Sequence, residues 1–297
     1  MDSTGLLFAI FSAFLLGSNK LAVRKSLLKM DESFASFIAI LLAVPVFGLP
    51  LLLNGTNPAK VPIAAVAVFA LAGILNFSLG RYFIWKCIGT IGANRGNVMA
   101  SSQVAYAIAI AILFLHQTVD LFQGVGIALV LLGILLISLR GLGGGYFTPQ
   151  QMRIGTFFGI TGGLLWGISQ VLMQVGIAMF KNATTATFIT YLAAVPGVLP
   201  ILYLSNKYSK AEGGALRMDK YSLIFVLIAG MLGNFGLFFR YLSLQTIPLT
   251  IVSTINGTNP MITLVMSYFL IRNLEHINGR TIAGLVLSVF GVIFMSF

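Results

Sequence analysis

Apolar stretches of about 20 residues recur from one end of this chain to the other, each the length an α-helix needs to cross a hydrocarbon core of about 30 Å. Ten can be delimited, at 5–28, 32–53, 61–86, 94–115, 119–139, 153–180, 184–204, 219–245, 249–271 and 277–296. A membrane β-barrel would need short segments of alternating polarity, whereas these runs are continuously apolar and broken by Gly and Pro. The expected fold class is therefore all-α and integral to the membrane, with ten transmembrane helices. Composition agrees, since 8% of the 297 residues are charged, against roughly one-quarter in a soluble domain. The longest hydrophilic stretch, Ser205 to Lys220, is too short to bury a core of its own. Any activity must then be built from the helices and their mouths. Met1 to Thr4 lead into the first span without a basic region or cleavage site, so that span reads as an anchor and not a removed signal.

The chain divides near Gly143-Gly144-Gly145, with five spans on either side. Gly5, Phe8, Leu15 and Gly17 recur as Gly155, Phe158, Leu165 and Gly167 at a constant offset. Ala72-Gly73, Asn76-Phe77 and Arg81-Tyr82 recur in order as Ala229-Gly230, Asn234-Phe235 and Arg240-Tyr241. Gly126 and Gly133 match Gly284 and Gly291. An odd number of helices per copy makes the second copy enter the membrane from the other side. Residues 1–145 and 146–297 are thus expected to be two inverted five-helix repeats packed as one membrane domain, an architecture used for alternating access.

Several motifs carry a resemblance. The first helix of each half has a central Gly followed by polar residues, Gly17-Ser18-Asn19-Lys20 and Trp166-Gly167-Ile168-Ser169-Gln170. Asn259-Pro260 opens an apolar stretch that ends at Glu275, and the last span carries Gly279, Gly284 and Gly291. In these features the chain resembles the drug/metabolite transporter (DMT) superfamily, in its ten-helix EamA-type branch. It departs from the family at Ser102, where a Pro is usual, at Gln117, where a Glu is usual, and around Phe34 to Phe37, which lack the common Arg. The resemblance implies a multi-pass transporter of a small metabolite in the plasma or inner membrane, not an enzyme, with both termini cytoplasmic.

Charge bounds the chemistry. Of the seven carboxylates, Asp2, Asp31, Glu32, Asp120, Glu212, Asp219 and Glu275, none falls in the apolar part of a span. The small multidrug exporters that resemble this fold in miniature depend on a membrane-embedded Glu, so a cationic-drug/proton antiporter is not expected. His116 and His276 sit at connections, Cys87 is the only cysteine, and no metal, cofactor or catalytic constellation is implied. The net charge of +11 is spread over short loops and does not point to nucleic acid. Thirteen loop cations fall on one side and only Lys60 and Lys181 on the other, which by the positive-inside rule places both termini outside, opposite to what the resemblance implies. Oligomeric state is left open, with a monomer compatible.

Lys20, Arg81 and Arg240, by contrast, lie inside apolar spans. A cation at such depth costs a few kcal/mol or more unless it faces a wet cavity or a partner. With no carboxylate beside them, that partner is expected to be an anionic or zwitterionic solute. Arg81-Tyr82 and Arg240-Tyr241 are expected near opposite mouths of a pathway, each Arg able to hold a carboxylate or phosphate in a fork. Asn97, Ser101 and Gln103 of the fourth span, and Asn256 and Asn259 of the ninth, are further candidates. So are Asn19, the mid-span pair Asn76 and Asn234, and Trp166 with Gln170. Two other readings stand beside this one: an exporter of amino-acid-like or amphipathic compounds, and a membrane scaffold or receptor without transport.

Overall fold

The computed structural model describes residues 3–53, 61–115, 121–138, 147–211, 219–247, 252, 255–274 and 279–294. Among them stand ten long or medium helices and no strand. They are α1 (Ser3–Ser26), α2 (Glu32–Leu53), α3 (Ile63–Ile91), α4 (Ala93–Leu115), α5 (Leu121–Ser138), α6 (Pro149–Met179), α7 (Ala183–Ala211), α8 (Lys220–Leu244), α9 (Asn259–Leu270) and α10 (Gly279–Phe294). Within the described residues α1, α2, α3, α6, α7 and α8 are long and apolar enough to cross a membrane. Their outer faces carry bare Leu, Ile and Phe, such as Phe11, Ile63 and Phe157, all more than half exposed. That surface suits hydrocarbon, where it costs nothing to leave it uncovered.

Helix starts follow local chemistry. Asp31 Oδ1 accepts from the backbone N–H of Ser33 and Phe34 ahead of α2, and Asn182 Oδ1 does the same for Thr185 ahead of α7. Thr148 and Gln151 form a reciprocal capping box at α6, with Pro149 in the first turn where its missing N–H is no loss. Pro45 and Pro50 lie inside α2, and Pro196 and Pro200 inside α7; neighbouring helices tolerate such breaks in a membrane.

Packing pairs the helices crosswise. The main partners are α1 with α8, α6 with α3, α6 with α4, α3 with α7, α2 with α7, α1 with α9, and α5 with α10. Two glycines allow close approaches around the centre. A Cβ on Gly17 would press into Ile262 of α9 at 2.8 Å, and one on Gly167 would meet the carbonyl of Gln103 in α4 at 2.8 Å. Cys87 is fully buried in a cluster with Ile91, Val98 and Met99.

Three expectations are corrected. The third span ends at Ile91, not 86, and its middle, Ile74–Gly80, is π-helical: the Arg81 N–H reaches back to the Asn76 carbonyl, five residues away. The ninth span is not continuous through 249–271. Its described part turns at Gly257 and Thr258, and α9 starts at Asn259 with Pro260 in its first turn, so Pro260 starts a helix and breaks none. The hydrophilic stretch after Ser205 is helical as far as Ala211.

Candidate functional site

α1, α3, α4, α6, α8 and the first turn of α9 surround a partly enclosed cavity. The volume open to the centres of water-sized spheres is about 60 Å³, several times the roughly 10–15 Å³ that one water requires. Of the fifteen candidate residues, ten line it: Asn19, Lys20, Asn76, Arg81, Asn97, Gln103, Trp166, Gln170, Arg240 and Asn259. Leu16, Trp85, Ala229, Gly233 and Leu237 also line it, and among the described residues the wall contains no carboxylate. All three intramembrane basic residues thus converge on one chamber. Arg81 and Arg240 do not guard opposite mouths, because α3 and α8 each run on past the cavity and leave their arginines well inside.

Arg81 is the most tightly held. Its Nη2 donates to the Tyr191 hydroxyl and to Asn234 Oδ1, both at 3.1 Å. Tyr191 in turn donates to Asn234 Oδ1 at 2.7 Å, and Asn234 Nδ2 donates to the Ala39 carbonyl at 2.9 Å. The guanidinium carbon lies 4.9, 5.5 and 5.9 Å from the rings of Phe77, Tyr191 and Trp85. Such contacts are worth about 2 kcal/mol or more each once desolvated. Arg81 Nη1 is buried without an acceptor among the described residues.

Lys20 Nζ stands 4.6 Å from the centroid of Trp166 and shares the chamber with Arg81. The indole is fixed from behind: Trp166 Nε1 donates to the Asn76 carbonyl at 3.1 Å, within the π-helical turn. Asn76 Nδ2 donates to Ser169 Oγ at 3.2 Å, and Ser169 donates to the Ala72 carbonyl. The irregular turn of α3 therefore sets the position of the ring on which Lys20 rests.

Arg240 is held differently. It donates to Gln170 Oε1, and Gln170 Nε2 donates to Gln103 Oε1 at 2.8 Å, a chain of neutral amides running from α8 through α6 to α4. Asn97 donates to Thr263 Oγ1 at 2.8 Å, and Asn19 to the Ala229 carbonyl at 2.6 Å. Asn259 Oδ1 is buried without a donor among the described residues.

Five candidates do not line the chamber. Tyr82 packs on Phe83 and Phe158. Tyr241 is buried among Phe69, Met173 and Ile177. Ser101 donates back to the Asn97 carbonyl in its own helix. Asn234 lies behind Arg81, and Asn256 accepts from Ser12 Oγ at 3.0 Å while donating to the Val252 carbonyl. Sequence reasoning missed Tyr191; an aromatic in an apolar helix reads as packing until its partner is known.

One turn beyond the cavity the bundle is tied together at one end. Arg24 Nη1 donates to the carbonyls of Ile88 and Gly89 at the end of α3. Lys86 pairs with Glu32 at 3.1 Å, Lys29 with Asp219 at 3.5 Å, and Ser205 donates to Asp31 at 3.1 Å.

The EamA-like transporter family matches residues 3–139 and again residues 153–297. No curated protein matches the chain. Among 23 matching chains of solved structures, one crystal structure, described without a function, is 13% identical and aligns over 99% of this chain and 96% of its own. Its TM-score is 0.66, which speaks to the fold. Matched in both halves and built of apolar helices, this chain is a multi-pass membrane protein belonging to the EamA-like transporter family, a family of membrane transporters.

Proposed function

We propose that this chain moves a small organic anion or zwitterion across the cell membrane by alternating access, through a cavity between two inverted repeats that together cross the membrane ten times. The observation that carries the proposal is the convergence of Lys20, Arg81 and Arg240 on one chamber whose wall, among the described residues, has no carboxylate. Uncompensated positive charge at that depth is costly, and an anionic solute removes the cost. The solute is thus drawn in by the same term that makes the empty site unfavourable. The described lining residues include no acidic relay, which favours uncoupled diffusion or exchange, with coupling through substrate protonation or a loop group as the alternative.

The repeats, 1–145 and 146–297, are supported by the crosswise packing. If α1 to α5 correspond to α6 to α10, the pairing of α1 with α8 becomes that of α6 with α3, and α1 with α9 becomes α6 with α4. The pairs α2 with α7 and α5 with α10 map onto themselves. A two-fold axis in the membrane plane does this. The tied end, with Arg24, Glu32 and Lys86, is the closed mouth of this conformer, and opening it requires those contacts to part.

The exporter of amino-acid-like compounds is the second reading, favoured by Trp85 and Trp166 in the wall and by Asn259 Oδ1, which awaits a donor such as an ammonium group. The scaffold reading expects Asn76, Asn234 and Asn256 to be paired across helices, and all three are. It gives no account of the basic chamber. A thermal-shift screen of purified protein against carboxylates, phosphates, amino acids, sugars and organic cations decides among them, because a ligand that binds the native state raises its melting temperature. Anions are expected to stabilise the wild type and to lose that effect in Lys20→Ala or Arg81→Ala. Stabilisation by cations or neutral solutes alone would sink the anionic reading.

A further inference from the structure

We propose that Arg81 Nη1 and Lys20 Nζ form a single oxyanion subsite, and that Tyr191 and Asn234, neither of which lines the cavity, are the positioning residues that aim it. The inference rests on the anionic reading above and adds to it how the anion is gripped. Both N–H bonds of Arg81 Nη2 are committed, one to the Tyr191 hydroxyl and one to Asn234 Oδ1. Asn234 is itself oriented, since its amide nitrogen donates to the Ala39 carbonyl and only its oxygen is left to face Arg81. Stacked rings hold the guanidinium plane: Phe77 and Tyr191 lie 3.9 Å apart at 18°. The side chain therefore turns away only by breaking these contacts together.

Nη1 is the buried nitrogen left over, in a residue 5% exposed, with no acceptor among the described residues. A buried donor pair with nothing to bond to is unfavourable, so its native partner comes from what enters the cavity. Lys20 Nζ has the face of Trp166 beneath it and no oxygen acceptor among the described residues. Two basic residues that line one chamber, each with a nitrogen lacking an acceptor among the described residues, fit an anionic group offering two oxygens, one to each. With Nη2 occupied, Arg81 cannot use both terminal nitrogens on the solute, so the two-nitrogen fork usual for arginine is closed here and Lys20 supplies the second donor. Planar carboxylates and tetrahedral phosphates both present such a pair of oxygens.

The test measures binding of inorganic phosphate and of succinate to the purified full chain, by melting temperature and by direct titration, in wild type, Tyr191→Phe and Asn234→Asp. Tyr191→Phe keeps the ring stack and frees one N–H of Nη2, and is expected to weaken anion affinity about tenfold or more, the worth of one hydrogen bond to a charged group. Asn234→Asp gives Arg81 a carboxylate in place of the solute. It is expected to abolish stabilisation by either probe while the ligand-free protein melts no lower than wild type. Residues that merely support the fold would behave in reverse, lowering the ligand-free melting temperature and leaving affinity within twofold of wild type, and that result overturns the proposal. If Asn234→Asp does not fold, Tyr191→Phe alone decides. A wild type that binds neither probe removes the anionic reading and the subsite with it, whereas a wild type that binds with unchanged variants removes the subsite only. Phosphate without succinate, or the converse, assigns the geometry of the anion.

Discussion

α3 and α8 carry the same residues in the same order, an Ala-Gly, an Asn-Phe and an Arg-Tyr, yet they present their arginines in unlike ways. In α3 the backbone loosens into a π-helical turn just before Arg81, and the guanidinium is locked by Tyr191, Asn234 and three rings. α8 stays regular, and Arg240 reaches only Gln170, whose own partner is another flexible amide, Gln103. The two asparagines differ as well: Asn76 lines the chamber, whereas Asn234 stands behind Arg81. Matching sequence in two halves of one chain therefore preserves the scaffold and leaves the roles free to diverge. One arginine is a fixed anchor and the other an adjustable arm.

Removing each arginine is the strongest way to break this contrast. Arg81→Ala leaves the Tyr191 hydroxyl and Asn234 Oδ1 without their cation and is expected to cost about 3 kcal/mol of stability together with all anion binding. Arg240→Ala, which strands only Gln170, should cost about 1 kcal/mol and reduce affinity without abolishing it. Equal losses in melting temperature and titration would erase the distinction between anchor and arm. Next in size is Trp166→Phe, which keeps a ring beneath Lys20 but removes the indole bond to the π-helical carbonyl. It should destabilise by about 1 kcal/mol, and a bond this local to α3 should leave Arg240-dependent binding unchanged in the same titrations. Glu32→Gln acts at the end of α3 by freeing Lys86. The pair is partly shielded, with side-chain exposures of 16% and 34%, so a loss of about 1 kcal/mol and faster labelling of cysteines placed beside it are expected. Lys29→Ala removes the ion pair that meets the start of α8, whose side chains are 65% and 39% exposed. Its effect on stability should stay below about 0.5 kcal/mol, and a larger shift would mean that α8 is held at that end as firmly as α3.

Much of this was legible before any coordinates. Ten apolar periods foretold ten helices, and Lys20, Arg81 and Arg240 stood out because basic residues are rare at membrane depth. What stayed hidden depended on which helices meet. Tyr191 lies in α7 and acts on α3, so no local pattern marks it. The π-helical turn contains no Pro, and its flanking Gly73 and Gly80 look like ordinary helix-packing glycines. The break before α9 was signalled by Gly257 and Pro260 but is masked by the hydrophobicity around it, which reads through a turn as easily as through a helix. Placing Arg81 and Arg240 at opposite mouths followed from counting span ends, and the third span ends five residues later than hydropathy indicates.

Cys87, 0% exposed and wedged beside Met99 where Gly159 crosses α4, has a practical consequence. A thiol without access to water or reagent is chemically silent toward maleimides. The native chain is thus already a single-site labelling background. Reporter cysteines can be introduced on either side of the bundle, to read which face is cytoplasmic and which mouth opens, without first altering the protein whose motion is being followed.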